Sequence, residues 1–142
     1  MMTAFVYGTL RRGEANDILL AAARHGIAAP RLIGTATVRG TLYDFGAYPG
    51  LVPDVSGMLV LGDVYQIEPE LIAVLDEIEE VYPGRDGLFL RRQIDLEVKV
   101  AGQPHTFLCW FYPVTASAVE GRPVIARGDW VAHRQASAGL SE

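Results

Sequence analysis

The sequence predicts an α+β fold in which a strongly bent or closed β-sheet carries helices at its ends and sides. Strand-forming segments outnumber helical ones, and they follow one another through hairpin-like turns instead of alternating with helices as a doubly wound sheet requires. The chain has 142 residues, of which 50% are hydrophobic and 20% charged, as is typical of one globular domain. We expect that domain over residues 1–135, followed by a flexible polar tail over 136–142.

The chain begins with a strand that runs directly into a glycine-bounded loop. Residues 5–7 are strand formers, and Gly8 lets the backbone turn sharply and lie against a ligand. Successive N–H groups in such a turn can converge on a carboxylate or a phosphate. A nucleotide-binding P-loop needs Lys and then Ser or Thr after its second glycine, but here Glu14 and Ala15 follow Gly13. The loop therefore indicates a carboxylate ligand, or else a tight connection that binds nothing.

A short helix is predicted next, capped by Asn16 or Asp17 and ending at Gly26. Two strand segments follow, and Gly40 interrupts them in a way that is typical of a bulge or a sharp bend. These segments are 32–38 and 41–44.

The middle of the chain combines a turn-rich excursion with the most hydrophobic strand. Tyr48 and Leu51 lie in the excursion, residues 46–53, where they either face a cavity or close the core, and their residue types favour the core. The strand over 57–67 is apolar on both faces in its first half, so it should lie centrally in the sheet.

The second half of the chain predicts a helix, a hairpin and a last short helix. The first helix covers 70–81. Polar and apolar residues alternate over 93–100, which predicts a half-exposed strand, and Gly102 turns it into a second strand over 106–114. Residues 128–130 resemble the capped start of the last helix.

Composition excludes several classes of function. The net charge is −5 and no run of Lys or Arg exceeds a pair, so we expect no binding to nucleic acid. No window approaches the roughly 20 apolar residues of a membrane span, and the N-terminus lacks a targeting pattern, so we expect a cytoplasmic protein without membrane contact. Cys109 lies in an apolar run and is expected to be buried and unreactive. The three histidines lack ligand spacing, so no metal is expected.

One carboxylate in the predicted helix over 70–81 differs from its neighbours. At ~100° per residue, Glu79 falls inside the apolar arc of the helix, where an isolated carboxylate must be paired, protonated or directed at a cavity. The other acids of the segment fall outside that arc, namely Asp76, Glu77 and Glu80. Glu79 is therefore a candidate functional acid. The alternatives are a structural ion pair with an arginine such as Arg92 and an edge position that reaches solvent.

A series of different short motifs, spread over nearly the whole chain, stands out in the sequence. They are Tyr7-Gly8-Thr9-Leu10-Arg11 with Gly13 and Asn16, Gly40-Thr41-Leu42-Tyr43-Asp44, Tyr48-Pro49-Gly50-Leu51, Val60-Leu61-Gly62-Asp63-Val64-Tyr65, Leu75-Asp76-Glu77-Ile78-Glu79, Phe89-Leu90-Arg91-Arg92, Trp110-Phe111-Tyr112 and Gly128-Asp129-Trp130. This ordered set resembles the γ-glutamylcyclotransferase-like, or AIG2-like, family. The resemblance implies a small mixed barrel of about six strands flanked by two to four short helices, with a cavity for one small ligand.

The resemblance also implies an activity and the residues that perform it. The expected reaction is cyclisation of a γ-glutamyl amino acid, isopeptide or amine to 5-oxoproline with release of a free amine, and no cofactor is expected. Glu79 closes the family's Leu-Asp-x-x-Glu motif and is the expected catalytic acid/base. The residues expected to bind the substrate are Tyr7, Gly8, Thr9 and Leu10, through their backbone, together with Tyr48 and Tyr112 as an aromatic wall. The alternative is a binding module for a small carboxylate or γ-glutamyl ligand that performs no turnover.

Two residues depart from the family's usual pattern, Glu80 and Phe89. Both lie near the expected pocket, so they bear on which amine leaves. The sequence predicts no oligomeric state.

Overall fold

The computed structural model describes residues 2–79 and 89–140, which form one curled six-stranded sheet with three α-helices. The predicted α+β class with a bent sheet is therefore confirmed. The elements in chain order are β1 (Met2–Val6), α1 (Ile18–Arg24), β2 (Arg31–Asp44), β3 (Pro49–Pro53), β4 (Met58–Ile67), α2 (Glu70–Ile78), β5 (Arg92–Val100), β6 (Gln103–Phe111), a 3-10 turn (Ala116–Val119) and α3 (Trp130–Leu140).

The sheet is mixed and curls toward closure. Its strand order is β3-β2-β4-β1-β6-β5, in which β1 and β6 are parallel and the other pairs are antiparallel. The hydrophobic strand β4 is central, as its two apolar faces predict. The curl brings β5 against β2. The two strands are so close that a Cβ atom added to Gly34 in β2 would lie 2.8 Å from the Val98 side chain in β5. The result is a half-barrel.

The predicted interruption at Gly40 is wrong. Strand β2 is continuous through this residue, which pairs with β3 on one side and with β4 on the other. Its single register shift lies between Leu32 and Gly34. A Cβ atom at Gly40 would lie 2.5 Å from the carbonyl oxygen of Val52, so the glycine permits close approach of two backbones and does not mark a bulge.

The turn-rich excursion over 46–53 contains a strand that the sequence did not predict. β3 occupies Pro49–Pro53 and pairs with β2. The strand was not predicted because it has a proline at each end. Proline usually indicates a turn in a sequence, but it is tolerated on an edge strand. Leu51 is fully buried, in agreement with the core interpretation, whereas Tyr48 is only partly buried.

The hairpin of β5 and β6 is confirmed, with a shorter turn than predicted. Ala101 and Gly102 both have positive φ angles, 52° and 77°, which is the geometry of a two-residue hairpin turn. β6 therefore begins at Gln103 and ends at Phe111, three residues earlier at each end than the predicted strand over 106–114.

The helices begin where the sequence predicts. The Asp17 side chain caps α1 by accepting from the N–H of Leu19 at 2.9 Å, and the Asp129 side chain accepts from the N–H of Ala132 near the start of α3. α2 ends at Ile78, earlier than predicted, and residues 80–88 lie outside the described part of the chain. The α3 backbone extends to Leu140, into the segment predicted as a tail; the flexibility of that segment stays a prediction.

Two apolar clusters form the core. The first packs α1 and α2 on β1 and reaches the aromatic residues Phe89 and Tyr112. The second joins β2, β4, β5 and β6 with Trp130 of α3. Among residues 2–79 and 89–140, no helix is long and apolar enough to cross a membrane.

Candidate active site

A cavity opens where β1 ends, and all seven residues that the sequence places at the site line it. It is open at its mouth, and its empty space, including the part open to solvent, is about 310 Å³. Its lining consists of Phe5, Val6, Tyr7, Gly8, Thr9, Leu10, Tyr48, Pro49, Glu79, Phe89 and Tyr112. The fold thus brings residues 7–10, the residue after α2 and two distant tyrosines to one place. Their individual roles stay predictions.

The opening loop has a one-sided hydrogen-bonding pattern. Its carbonyl groups are occupied, because Gly8 accepts from Arg11 N–H, Thr9 from Asn16 N–H and Leu10 from Ile18 N–H, at 3.1, 2.8 and 2.9 Å. The N–H groups of residues 8–10, by contrast, donate to none of the residues that the structure describes. A run of N–H groups beside a cavity is suited to binding a carboxylate or a carbonyl oxygen.

Packing requires a glycine at position 8. A Cβ atom there would lie 2.7 Å from Cγ of Pro49. Pro49 itself lines the cavity, so a larger residue at position 8 would move the loop or the opposite wall. A side chain at this position would therefore collide first with the protein itself.

Ion pairs that the sequence analysis did not identify hold the opening loop in place. The Arg11 guanidinium lies between two carboxylates, 3.1 Å from Asp63 and 3.1 Å from Asp129. Glu14 accepts two hydrogen bonds from Arg134, both at 2.7 Å. These contacts connect the loop to β4 and α3. They join residues up to 120 positions apart, so no local sequence pattern could have found them.

Glu79 lies at the C-terminus of α2, partly buried beside the cavity. Its N–H donates to the carbonyl of Leu75 at 2.9 Å, which fixes the backbone. Its carboxylate makes neither a hydrogen bond nor an ion pair with any residue in 2–79 or 89–140. The suggested partner, Arg92, is exposed and donates instead to the Arg91 carbonyl. Burial raises the pKa of Glu79 from 4.5 to about 7.

The Tyr7 hydroxyl group joins three segments of the cavity wall. It donates to the carbonyl of Tyr112 at 2.6 Å and accepts from the N–H of Leu51 at 3.1 Å. Burial raises its pKa, and the nearby charge of Glu79 raises it further. The hydroxyl is engaged within the protein, so Tyr7 borders the cavity with its ring and fixes the backbone around it.

The Tyr112 hydroxyl group is directed by a pair of charged residues. It donates to Asp76 Oδ1 at 2.7 Å, and Arg91 donates to the other carboxylate oxygen of Asp76 at 2.5 Å. Burial raises the pKa of Tyr112, and the bond to Asp76 adds to the rise. The helical arc had placed Asp76 away from the cavity. Its spacing of three residues from Glu79, which puts both on one side of a helix, was the signal that could have identified it.

Aromatic rings form the remaining wall and lead to a neighbouring cleft. Tyr48 stacks on Phe45 with ring centroids 5.4 Å apart, and its centroid is 5.7 Å from that of Phe89. The cleft shares Thr9, Tyr48, Glu79 and Phe89 with the cavity. A ligand held in the cavity could therefore extend past Glu79 into the cleft.

Other reactive side chains lie outside this arrangement. Cys109 is buried within β6, where its thiol contacts the carbonyl of Phe107 and burial raises its pKa. No group of three His, Cys, Asp or Glu side chains in the described ranges is arranged to hold a metal ion. The cavity offers one acid with a near-neutral pKa, N–H donors and aromatic surface, which together can transfer a proton and stabilise an oxyanion.

Comparison with known proteins gives a consistent result. A family model described as gamma-glutamyl cyclotransferase, AIG2-like, matches residues 4–132. The chain is 35% identical over 113 residues to the gamma-L-glutamyl-butirosin B gamma-glutamyl cyclotransferase of Niallia circulans, covering 79% of this chain and 66% of that protein. It is 38% identical over 120 residues to the human gamma-glutamylaminecyclotransferase, covering 79% of this chain and 78% of that protein.

The fold agrees with a solved relative. The crystal structure of an AIG2-like protein from Mus musculus superposes with a TM-score of 0.64 over 92% of this chain and 88% of that chain. The sequence identity is 22%, so this likeness concerns the fold alone.

Proposed function

The chain belongs to the gamma-glutamyl cyclotransferase, AIG2-like family, and from this membership we propose that it releases 5-oxoproline and a free amine from a γ-glutamyl compound. The substrate's own α-amine nitrogen attacks its γ-carbonyl carbon. A new C–N bond closes the five-membered ring, and the bond to the attached amine breaks. The reaction needs no external nucleophile.

The observation that carries this proposal is the carboxylate of Glu79 beside the cavity, which pairs with none of the described residues and whose pKa is raised to about 7. At neutral pH the substrate amine is mostly an ammonium, so a base must remove a proton before attack and an acid must return one to the leaving nitrogen. A carboxyl group whose pKa lies near the working pH is suited to both transfers. Glu79 performs them in turn.

The N–H groups of residues 8–10 have the complementary role in this proposal. They bind oxygen atoms of the glutamyl group and so fold the substrate into the ring-forming pose. Because nucleophile and electrophile belong to one molecule, the reaction avoids the translational entropy loss of a bimolecular step, and the protein has only to hold the ring-forming pose. N–H donors placed at the reacting carbonyl would also stabilise the oxyanion that develops there.

The leaving amine extends toward the cleft bordered by Tyr48 and Phe89 in this proposal. Phe89 is one of the two residues that depart from the family's usual pattern, and it lines both the cavity and the cleft. Its apolar ring is expected to contribute to the choice of amine. The other, Glu80, lies outside the described residues.

The proposal is tested by incubating the protein with a pool of γ-glutamyl amino acids, isopeptides and amines and following 5-oxoproline by mass spectrometry. Release of 5-oxoproline together with one free amine from the pool supports the proposal and identifies the substrate class. A protein that binds a γ-glutamyl compound and leaves it intact would be a binding module, and the proposed chemistry would be wrong.

A further inference from the structure

The hydroxyl group of Tyr112 is held in place by Asp76, which is itself paired with Arg91. None of these three residues has a role in the proton transfers proposed above. It donates to Asp76 Oδ1 at 2.7 Å, and Arg91 holds the second oxygen of the same carboxylate at 2.5 Å. The Arg91 guanidinium in turn lies over the ring of Trp110, 5.0 Å from its centroid. The Asp76 carboxylate is thus fixed between a cation and a phenol.

This arrangement decides the direction of the Tyr112 hydrogen bond. A phenol has one proton and two lone pairs, and an ionised carboxylate can only accept. The single O–H group of Tyr112 therefore donates its hydrogen bond to Asp76. The lone pairs of the Tyr112 oxygen remain, on a residue that lines the cavity together with Glu79.

We propose that Asp76 is a positioning residue that makes Tyr112 a hydrogen-bond acceptor for the α-ammonium group of the substrate; this inference rests on the proposed function. An ammonium group has three N–H donors. One faces Glu79, which removes its proton, and one faces the Tyr112 oxygen. After this transfer the amine rotates about its C–N bond, so that its two remaining N–H groups face Glu79 and the Tyr112 oxygen and its lone pair faces the γ-carbonyl carbon.

Without Asp76 the phenol could turn its proton into the cavity. It would then offer a donor where the substrate also presents donors, and the two would repel each other. It could also donate to Glu79, which would stabilise the charged carboxylate and make it a weaker base. Asp76 prevents both outcomes, although it need not touch the substrate itself.

Asp76→Asn is the sharpest perturbation, because it preserves size and reverses the hydrogen bond. Arg91 needs an acceptor, so it holds the amide oxygen of the new side chain. The amide NH₂ group then faces Tyr112 and donates to its oxygen. The Tyr112 proton is released toward the cavity, which is the wrong polarity for an ammonium ligand.

The experiment measures binding of γ-glutamyl ethylamide by calorimetry in the Glu79→Gln background, where turnover is blocked. Asp76→Asn should weaken binding about 10-fold or more, as expected for loss of one hydrogen bond to a charged group. The same change added to Tyr112→Phe should have almost no further effect, since the oxygen through which Asp76 acts is gone. Adding Arg91→Met to Asp76→Asn should recover most of the lost binding, because the amide can then turn its oxygen to Tyr112.

Several outcomes would overturn the inference. Unchanged binding in Asp76→Asn would do so, and so would a loss that is equally large with and without Tyr112→Phe. Thermal denaturation of each variant checks that it is folded, and if Asp76→Asn does not fold, Asp76→Ala enters the same cycle with the same expectation. Glu77→Gln, an exposed change on the same helix, is the matched control. Wild-type protein that binds the amide but releases no 5-oxoproline from any member of the γ-glutamyl pool would contradict the proposed chemistry and leave this binding test intact.

Discussion

Replacing Glu79 with Gln should stabilise the protein at neutral and alkaline pH. Burial raises the pKa of Glu79 from 4.5 to about 7, so between these values the folded state holds a proton that the unfolded state has released. Rising pH therefore favours unfolding across this window. The shift corresponds to about 3 kcal/mol at most, and water at the open mouth of the cavity reduces it. Gln, which does not ionise, removes the whole effect.

The assay is urea denaturation of wild type, Glu79→Gln and the exposed control Glu77→Gln at several pH values. The advantage of Glu79→Gln over wild type should be near zero at about pH 4, grow as the pH rises through 7 and then level off at about 1–3 kcal/mol. The control should follow wild type throughout. A difference that does not change with pH, or an advantage that is largest in acid, would refute the assignment of a pKa raised by burial to Glu79.

Other predictions follow from the same geometry. Gly8→Ala places a methyl group 2.7 Å from the Pro49 ring, so KM should rise about 10-fold or more in steady-state kinetics as the loop is displaced; a wild-type KM would contradict this. Tyr112→Phe keeps the packing and removes only the hydroxyl, so KM should rise more than kcat falls, and unchanged kinetics would remove this residue from the site. Arg11→Met leaves two partly buried carboxylates without their cation and should lower the free energy of unfolding by about 3 kcal/mol in urea denaturation. A decrease below about 0.5 kcal/mol would show that these ion pairs do not stabilise the fold. If Glu79 is the base, kcat/KM should fall as the pH drops below about 7, and a flat profile from about pH 5 to about pH 8 would contradict that role.

Local patterns were sufficient for much of the fold. The alternation of β5, the apolar faces of β4 and the caps of α1 and α3 each depend on neighbouring residues, and each was confirmed. β3 was missed because its Pro and Gly residues are turn signals, and only its place at the sheet edge reconciles them with a strand. The function of Gly40 was likewise misread, since the backbone that approaches it belongs to another strand.

The candidate site divides in the same way. Helical periodicity placed Glu79 toward the apolar side and the opening glycine indicated a loop beside a ligand; both line the cavity, and their roles stay predictions. The contacts of Asp76 with Tyr112 and of Arg11 with Asp129 join residues 36 and 118 positions apart. Such pairs depend on the sheet topology, which no sequence window contains.

The most direct test of the account compares 5-oxoproline release by wild type, Glu79→Gln and Glu77→Gln on a substrate that the pool experiment identifies. Gln keeps the size of Glu79 and much of its hydrogen bonding but cannot accept the ammonium proton. Glu79→Gln should therefore lose about 10²–10⁴-fold in kcat while calorimetry shows that it still binds the substrate, and Glu77→Gln should keep nearly full activity. A Glu79→Gln protein that turns over normally, or a Glu77→Gln protein that is equally inactive, would contradict the assignment of Glu79 as the acid/base.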